Sequence, residues 1–178
     1  MVKFRFGMFF IFSLLLFFSA MNAYSQKVTP GHFASAEKGF SIDFPKDWQK
    51  TEGFMGATVV ALRPGSGSSD EYRENINVLV EKLSGHWALK EYFDANLESM
   101  RKLLTDFKAE EKAAAVVHGV PAERIVYSHR MGTYRLKALV YMMFKNQRGY
   151  VITCTSTSDR FAEWEKIFQG TANTFLLQ

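Results

Sequence analysis

The chain has 178 residues, 47% of them hydrophobic, with 22 Lys and Arg against 18 Asp and Glu, a formal net charge of +4. So small an excess of cations gives no electrostatic basis for nucleic-acid binding, which needs several clustered cations to release counterions. The lone cysteine, Cys154, excludes an intrachain disulfide, so a packed core must hold the fold.

Residues 1–25 read as a secretory signal peptide. Lys3 and Arg5 precede an uncharged apolar run from Met8 to Phe18, and small and polar residues from Ser19 to Ser25 follow it. Met8 to Met21 spans roughly 21 Å as a helix at 1.5 Å per residue, short of a bilayer core about 30 Å thick. The segment is therefore expected to be cleaved, between Ser25 and Gln26, and not to remain as a transmembrane anchor. No cysteine follows the apolar run to carry a lipid. The remaining 153 residues carry 20 Lys and Arg against 18 Asp and Glu, because only Lys3 and Arg5 leave. They are enough for one domain, residues 26–178, periplasmic or extracellular.

Along that domain strands outnumber helices. Gly31–Ala36 and Phe40–Phe44 read as strands joined at Glu37-Lys38-Gly39, the second with Phe40, Ile42 and Phe44 on one side and ended by Pro45. A turn at Lys46-Asp47-Trp48 folds the indole back onto the core. Ala57–Leu62 is a third strand and Asn75–Leu83 a fourth, with Ile76, Val78 and Val80 alternating against Asn77, Leu79 and Glu81. Gly65–Glu74 between them is a glycine- and serine-rich loop that lacks both the Lys-Ser/Thr of a phosphate cradle and the spacing of a calcium loop.

Residues 87–104 form a helix whose stripe is Leu89, Tyr92, Phe93, Asn96, Leu97, Met100 and Leu104. Residues 109–118 have a helical composition in Ala109–Ala115, but the following Val116–Pro121 favours an extended segment. Ala122–Arg130 and Tyr134–Lys145 make a hairpin about Met131-Gly132-Thr133, and Asn146–Gly149 turns the chain into a strand, Tyr150–Thr157. Alternation puts Cys154 with Tyr150 and Ile152, as a buried, unreactive side chain. A last helix begins after Ser158-Asp159, presents Phe161, Trp164, Ile167 and Phe168, and stops at Gly170. A meander of neighbouring strands without βαβ units is α+β and not a doubly wound parallel sheet.

No catalytic residues emerge. The histidines, His32, His86, His118 and His129, are scattered without a metal-ligand spacing, and no Gly-x-Ser-x-Gly elbow is present. Neither a metal nor a cofactor is expected.

Gly39-Phe40-Ser41-Ile42-Asp43-Phe44-Pro45-Lys46-Asp47-Trp48 resembles the N-terminal hairpin signature of the PsbP-like family, of PsbP and DcrB type. The helix at 87–104 is similar to that family's first long helix, Gly119-Val120-Pro121-Ala122 to its entry into the meander, and Phe161–Phe175 to its closing helix. The resemblance implies an α/β/α sandwich, a single mainly antiparallel sheet of about six or seven strands flanked by helices. It also implies a non-enzymatic role, since the family's members mostly bind other proteins.

One constellation suggests where. On the hairpin Arg124, Ser128 and Arg130 share strand parity, as do Arg135, Lys137 and Tyr141. Paired about residues 131–133, they would form a basic patch beside a tyrosine, fit for an acidic partner or an anionic surface. The expectation is an exported accessory protein of the cell envelope that binds another protein. The alternative is a carrier of a small apolar ligand between helix and sheet.

Overall fold

The structure, a computed structural model, describes residues 31–65 and 72–178. Residues 1–30, which include the segment expected to be a signal peptide, and residues 66–71 of the Gly65–Glu74 loop lie outside the described residues. In chain order the strands are β1 (His32–Ser35), β2 (Phe40–Asp43), β3 (Gln49–Glu52), β4 (Val59–Leu62) and β5 (Asn75–Lys82). Helix α1 (Leu89–Leu103) is followed by β6 (Thr105–Val117), β7 (Val120–Met131), β8 (Tyr134–Lys145) and β9 (Arg148–Thr157). Helix α2 (Phe161–Ala172) and β10 (Leu176–Leu177) complete the fold.

Seven strands form one antiparallel sheet in the order β3-β4-β5-β9-β8-β7-β6. The first two strands do not join it. With β10 they make a separate sheet of three, β1-β2-β10. This small sheet and α2 cover one face of the main sheet, and α1 covers part of the other, which gives the α/β/α layering.

Side-chain parity explains both faces. Ile76, Val78, Leu139, Ile152 and Cys154 point toward α2 and the small sheet, where Phe40, Phe168 and Phe175 meet them. Phe40 stacks on Phe175 at 5.1 Å between centroids, and Trp48 meets Trp164 edge-on at 5.8 Å. The opposite parity, Ile125, Val140, Met142 and Val151, packs under Tyr92, Phe93, Leu97 and Met100 of α1. These side chains occupy the interface between α1 and the sheet. Cys154 is fully buried and its thiol pKa is pushed up by desolvation, so the thiolate needed for reactivity is disfavoured.

One strand is absent from the sequence reading, and α2 departs from expectation in three respects. Residues 49–52 are a strand, β3, although Gln49-Lys50-Thr51-Glu52 has no apolar alternation, because it pairs with the buried β4. Helix α2 runs through Gly170 to Ala172, since burial of Phe168, Thr171 and Ala172 outweighs a glycine penalty of roughly 1 kcal/mol. Its N-cap is Arg160, with no side-chain cap bond, and Ile167 is exposed. Residues 105–117 form strand β6, in agreement with the extended reading of 109–118 as far as Val117.

Where α1 begins, the fold relies on a missing side chain. The ring of Tyr92 lies on the backbone of Gly149, where a Cβ would collide with it, and its hydroxyl donates to Glu81 Oε1 at 2.7 Å. Burial raises the Glu81 pKa, partly opposed by that hydrogen bond. Gly149→Ala is therefore expected to cost about 1–3 kcal/mol, several degrees of Tm, by overpacking. A thermal melt that matches the parent protein would show that the ring can swing aside.

Candidate functional site

The site predicted from the hairpin assembles as its parity requires. In the β7–β8 register Arg124 stands opposite Tyr141, Ser128 opposite Lys137, and Arg130 opposite Arg135, all on the face that also carries α2. The sequence reading counted these cations and missed the acids that come to them from β6. Arg124 Nη1 lies 3.0 Å from Glu111 Oε2, and its Nη2 lies 3.4 Å from Glu165 Oε1 of α2. Lys137 Nζ is 2.7 Å from Glu110 Oε2 and 4.9 Å from the centroid of the Phe161 ring. Arg130 Nε is 2.8 Å from Asp106 Oδ2.

Two irregularities of β6 make this possible. Its register to β7 shifts between Thr105 and Lys108 and again between Ala109 and Glu111. The second shift inserts Glu110, so that two successive glutamates reach one face of the sheet, which a regular strand forbids. The first holds Asp106 at a positive φ of 55°, opposite Arg130. The cations thus fasten the outer strand to the sheet.

The pairs differ in worth. Arg130 and Asp106 are both more than half exposed, so solvent leaves their attraction near 0–1 kcal/mol. Lys137 and Glu110 are about three-quarters buried, and the hydrogen bond from Lys137 holds the Glu110 pKa below its ordinary value, against a smaller desolvation effect. Tyr141 is 6% exposed and belongs to the core; burial raises its phenol pKa while the Arg124 guanidinium lowers it. Arg135 is exposed, with no ion pair among the described residues.

The outward side of β6 is the other half of the site. Among the described strands β6 has no neighbour beyond it. From Glu111 to Val117 it pairs with β7 without a bulge, up to a two-residue turn at His118 and Gly119 with φ of 44° and 75°. Positive φ at both central residues is the type I′ pattern, and alternation from such a turn directs the backbone N–H and C=O of Lys112, Ala114 and Val116 outward. The segment is small and apolar, Ala113-Ala114-Ala115-Val116, and Val116 is 67% exposed. Charge and bulges blunt the first half of this edge and not the second. The sequence signal for it was the clash between helical propensity in Ala109–Ala115 and the β-branched Val116-Val117 after it.

Other groups singled out in the sequence fall elsewhere. Glu74, an acid of the glycine-rich loop, is fully buried beside Arg63 Nε and 2.9 Å from Arg160 Nη1. The second contact is ionic and not an aligned hydrogen bond. Both guanidiniums lie over the Trp164 ring, at 5.8 and 5.7 Å, so Glu74 anchors α2. His32 pairs with Asp43 at 2.5 Å on the surface, and His118 sits in the turn after β6. Among the described residues no group of three His, Cys, Asp or Glu is placed to hold a metal ion, and no helix is long and apolar enough to cross a membrane.

A family model described as DcrB matches residues 42–169, most of the chain and all of the site above. The chain belongs to the DcrB family. No curated protein matches it. Among solved structures it is similar to cyanobacterial PsbP (CyanoP) from Synechocystis sp. PCC 6803, with TM-score 0.64 and 13% identity over 86% of this chain and 95% of that one. LpqN of Mycobacterium tuberculosis, described as involved in cell envelope biogenesis, gives TM-score 0.57 and 12% identity over 84% and 86%. The Ran-binding protein Mog1p of Saccharomyces cerevisiae gives 0.58 and 12% over 85% and 96%. At these identities the likeness is one of fold. The PsbP/DcrB-like resemblance seen in Phe40–Trp48 and the meander is thereby established for this DcrB-family chain.

The fastening of β6 is testable by pH. A carboxylate whose pKa is lowered in the folded state stabilises above its unfolded pKa and loses that contribution as pH falls through the folded value. Glu110→Gln is expected to lower stability by about 1 kcal/mol at neutral pH and to quicken amide exchange in β6. The difference from the parent should shrink below about pH 4. Equal urea midpoints at neutral pH would mean that Lys137 and Glu110 do not hold the strand.

Proposed function

We propose that this DcrB-family protein is an exported, non-enzymatic accessory protein of the cell envelope whose task is to bind another protein. In this reading residues 1–25 are a signal peptide removed near Gln26, and residues 26–178 act as one domain. DcrB-family membership and a fold shared with LpqN support the envelope setting. The basic N-terminus and short apolar run of residues 1–25 support export.

The observation that carries the binding role is the unblunted half of β6. Outward backbone groups at Lys112, Ala114 and Val116, with little side-chain bulk between them, suit an extended segment of a partner laid alongside as an eighth strand. Backbone hydrogen bonds would supply affinity there, and the charged half of the strand would supply selectivity. The exposed Arg135 and the half-exposed Arg130 favour acidic residues at the corresponding end of the partner. Arg124 and Lys137 contribute by keeping β6 in place, and Tyr141 by packing beneath Arg124.

The test is a photo-crosslinker placed at Val116 of the full-length protein in its own cells. An adduct is expected from Val116 and none from the exposed Lys90 on α1. Ala114→Pro removes one outward N–H without breaking the pairing to β7, so it should abolish the adduct, and Arg135→Glu should weaken it severalfold. The reading falls if Val116 gives no adduct or if Ala114→Pro leaves it unchanged. Mass spectrometry of the purified protein should show a chain that starts at Gln26, and a retained Met1 would remove the export step.

A further inference from the structure

The unblunted half of β6 is symmetric about its own centre. Its regular stretch, Glu111–Val117, is bounded by the register shift at Ala109–Glu111 on one side and by the turn at His118 and Gly119 on the other. Ala114 is the midpoint of that stretch. The residues with outward backbone groups, Lys112, Ala114 and Val116, are therefore placed evenly about it. A second β6 laid antiparallel, with a two-fold axis at Ala114, sets Ala114 against Ala114 and Lys112 of each copy against Val116 of the other. No other register gives all three outward residues of both copies a partner inside the regular stretch. Each facing pair of this kind exchanges two backbone hydrogen bonds.

The side chains suit the same register. Val116, at 67%, is the most exposed large apolar side chain among the described residues. Lys112 is exposed, with no ion pair among them. Opposed across the axis, the aliphatic stem of Lys112 covers Val116 of the other copy while its ammonium stays in water. The two Lys112 residues stand about 13 Å apart, the span from Lys112 to Val116 at roughly 3.3 Å per residue, so they do not repel at contact. A register centred on Lys112 would instead set the two ammoniums face to face. Between them Ala113, Ala114 and Ala115 offer no bulk to keep the strands apart.

We propose that β6 pairs with β6 of a second copy of this chain, giving a two-fold dimer in which the two main sheets become one. The proposal rests on the reading of β6 as an edge that accepts an added strand, and it names a second occupant for that edge. The assembly closes at two copies, because the other edge of the main sheet is β3, a short strand that carries Lys50 and Glu52. So short a contact makes a weak dimer that depends on concentration. A second copy and a different protein need the same backbone groups and therefore exclude one another. Self-pairing then covers an edge that would otherwise be open to aggregation, and a partner gains it by displacing the copy.

The test is sedimentation equilibrium of the protein purified from its own cells, from about 1 µM to 1 mM. A reversible monomer–dimer equilibrium is expected, with nothing larger. Two substitutions at the exposed Val116 read the register without touching the core. Val116→Lys sets lysine against Lys112 at both ends of the contact and should raise the dimer Kd about fivefold. Val116→Glu sets glutamate against Lys112 at both ends and should leave the dimer no weaker than the parent. Ala114→Pro, on the axis, removes an outward N–H from both copies at once and should leave only monomer. Three results would overturn the proposal: monomer at every concentration, a dimer that survives Ala114→Pro, or a Val116→Lys dimer as tight as that of Val116→Glu. The mass of the Val116 adduct in cells separates this reading from the earlier one. A monomeric protein whose adduct contains a different chain loses only the self-pairing. A dimer whose adduct always has twice the mass of this chain loses only the different protein.

Discussion

The arrangement depends first on the burial of one charge. Glu74 has no exposed surface, and a carboxylate in that position without partners would cost several kcal/mol. It is tolerated because Arg63, just after β4, and Arg160, at the start of α2, both reach it. The Arg63 backbone N–H also donates to the Glu74 carbonyl at 2.9 Å. Three separate parts of the chain are thereby brought to one point, with Trp164 shared by both guanidiniums. Once α2 is pinned there, Phe161 and Phe168 face the core and Glu165 faces Arg124. The order of the α2 layer follows from that pin.

The main sheet divides its labour by position. Its central strands, β5, β9 and β8, are covered on both sides and carry the core, so they have no freedom to present chemistry. Its outer strand β6 gives the core one fully buried side chain, Val117, with Phe107, Ala109 and Ala115 at its margin, and is otherwise held by its backbone ladder to β7 and by the ion pairs of its first half. Such a strand is the least stable part of a sheet and the most available for a partner. The same cations that look like a docking patch in isolation are the means by which that strand stays in register.

What could be read from the sequence was the direction in which each side chain points. Alternation placed Tyr150, Ile152 and Cys154 together and Val151 opposite, and it placed Arg124, Arg130, Arg135 and Lys137 on a common face. It could not show that Glu110 would meet Lys137 or that Glu74 would meet Arg160, because those meetings depend on strand order and on a bulge. Composition misled where packing overrides it, as at Gly170 inside α2. Polarity hid β3, whose four residues owe their conformation to β4 and not to their own pattern.

The small sheet has a further meaning for how the chain matures. β2 lies between β1 and β10, and Gln178 closes it, its N–H donating to the Gly39 carbonyl at 2.9 Å. Phe40 and Phe175 complete their stack only when both ends of the described chain have arrived. A polypeptide that emerges from its N-terminus onward therefore keeps β1 and β2 waiting until residues 175–178 have been made. During that interval Phe40 and Ile42 stay accessible, and the unfinished chain remains open to chaperones.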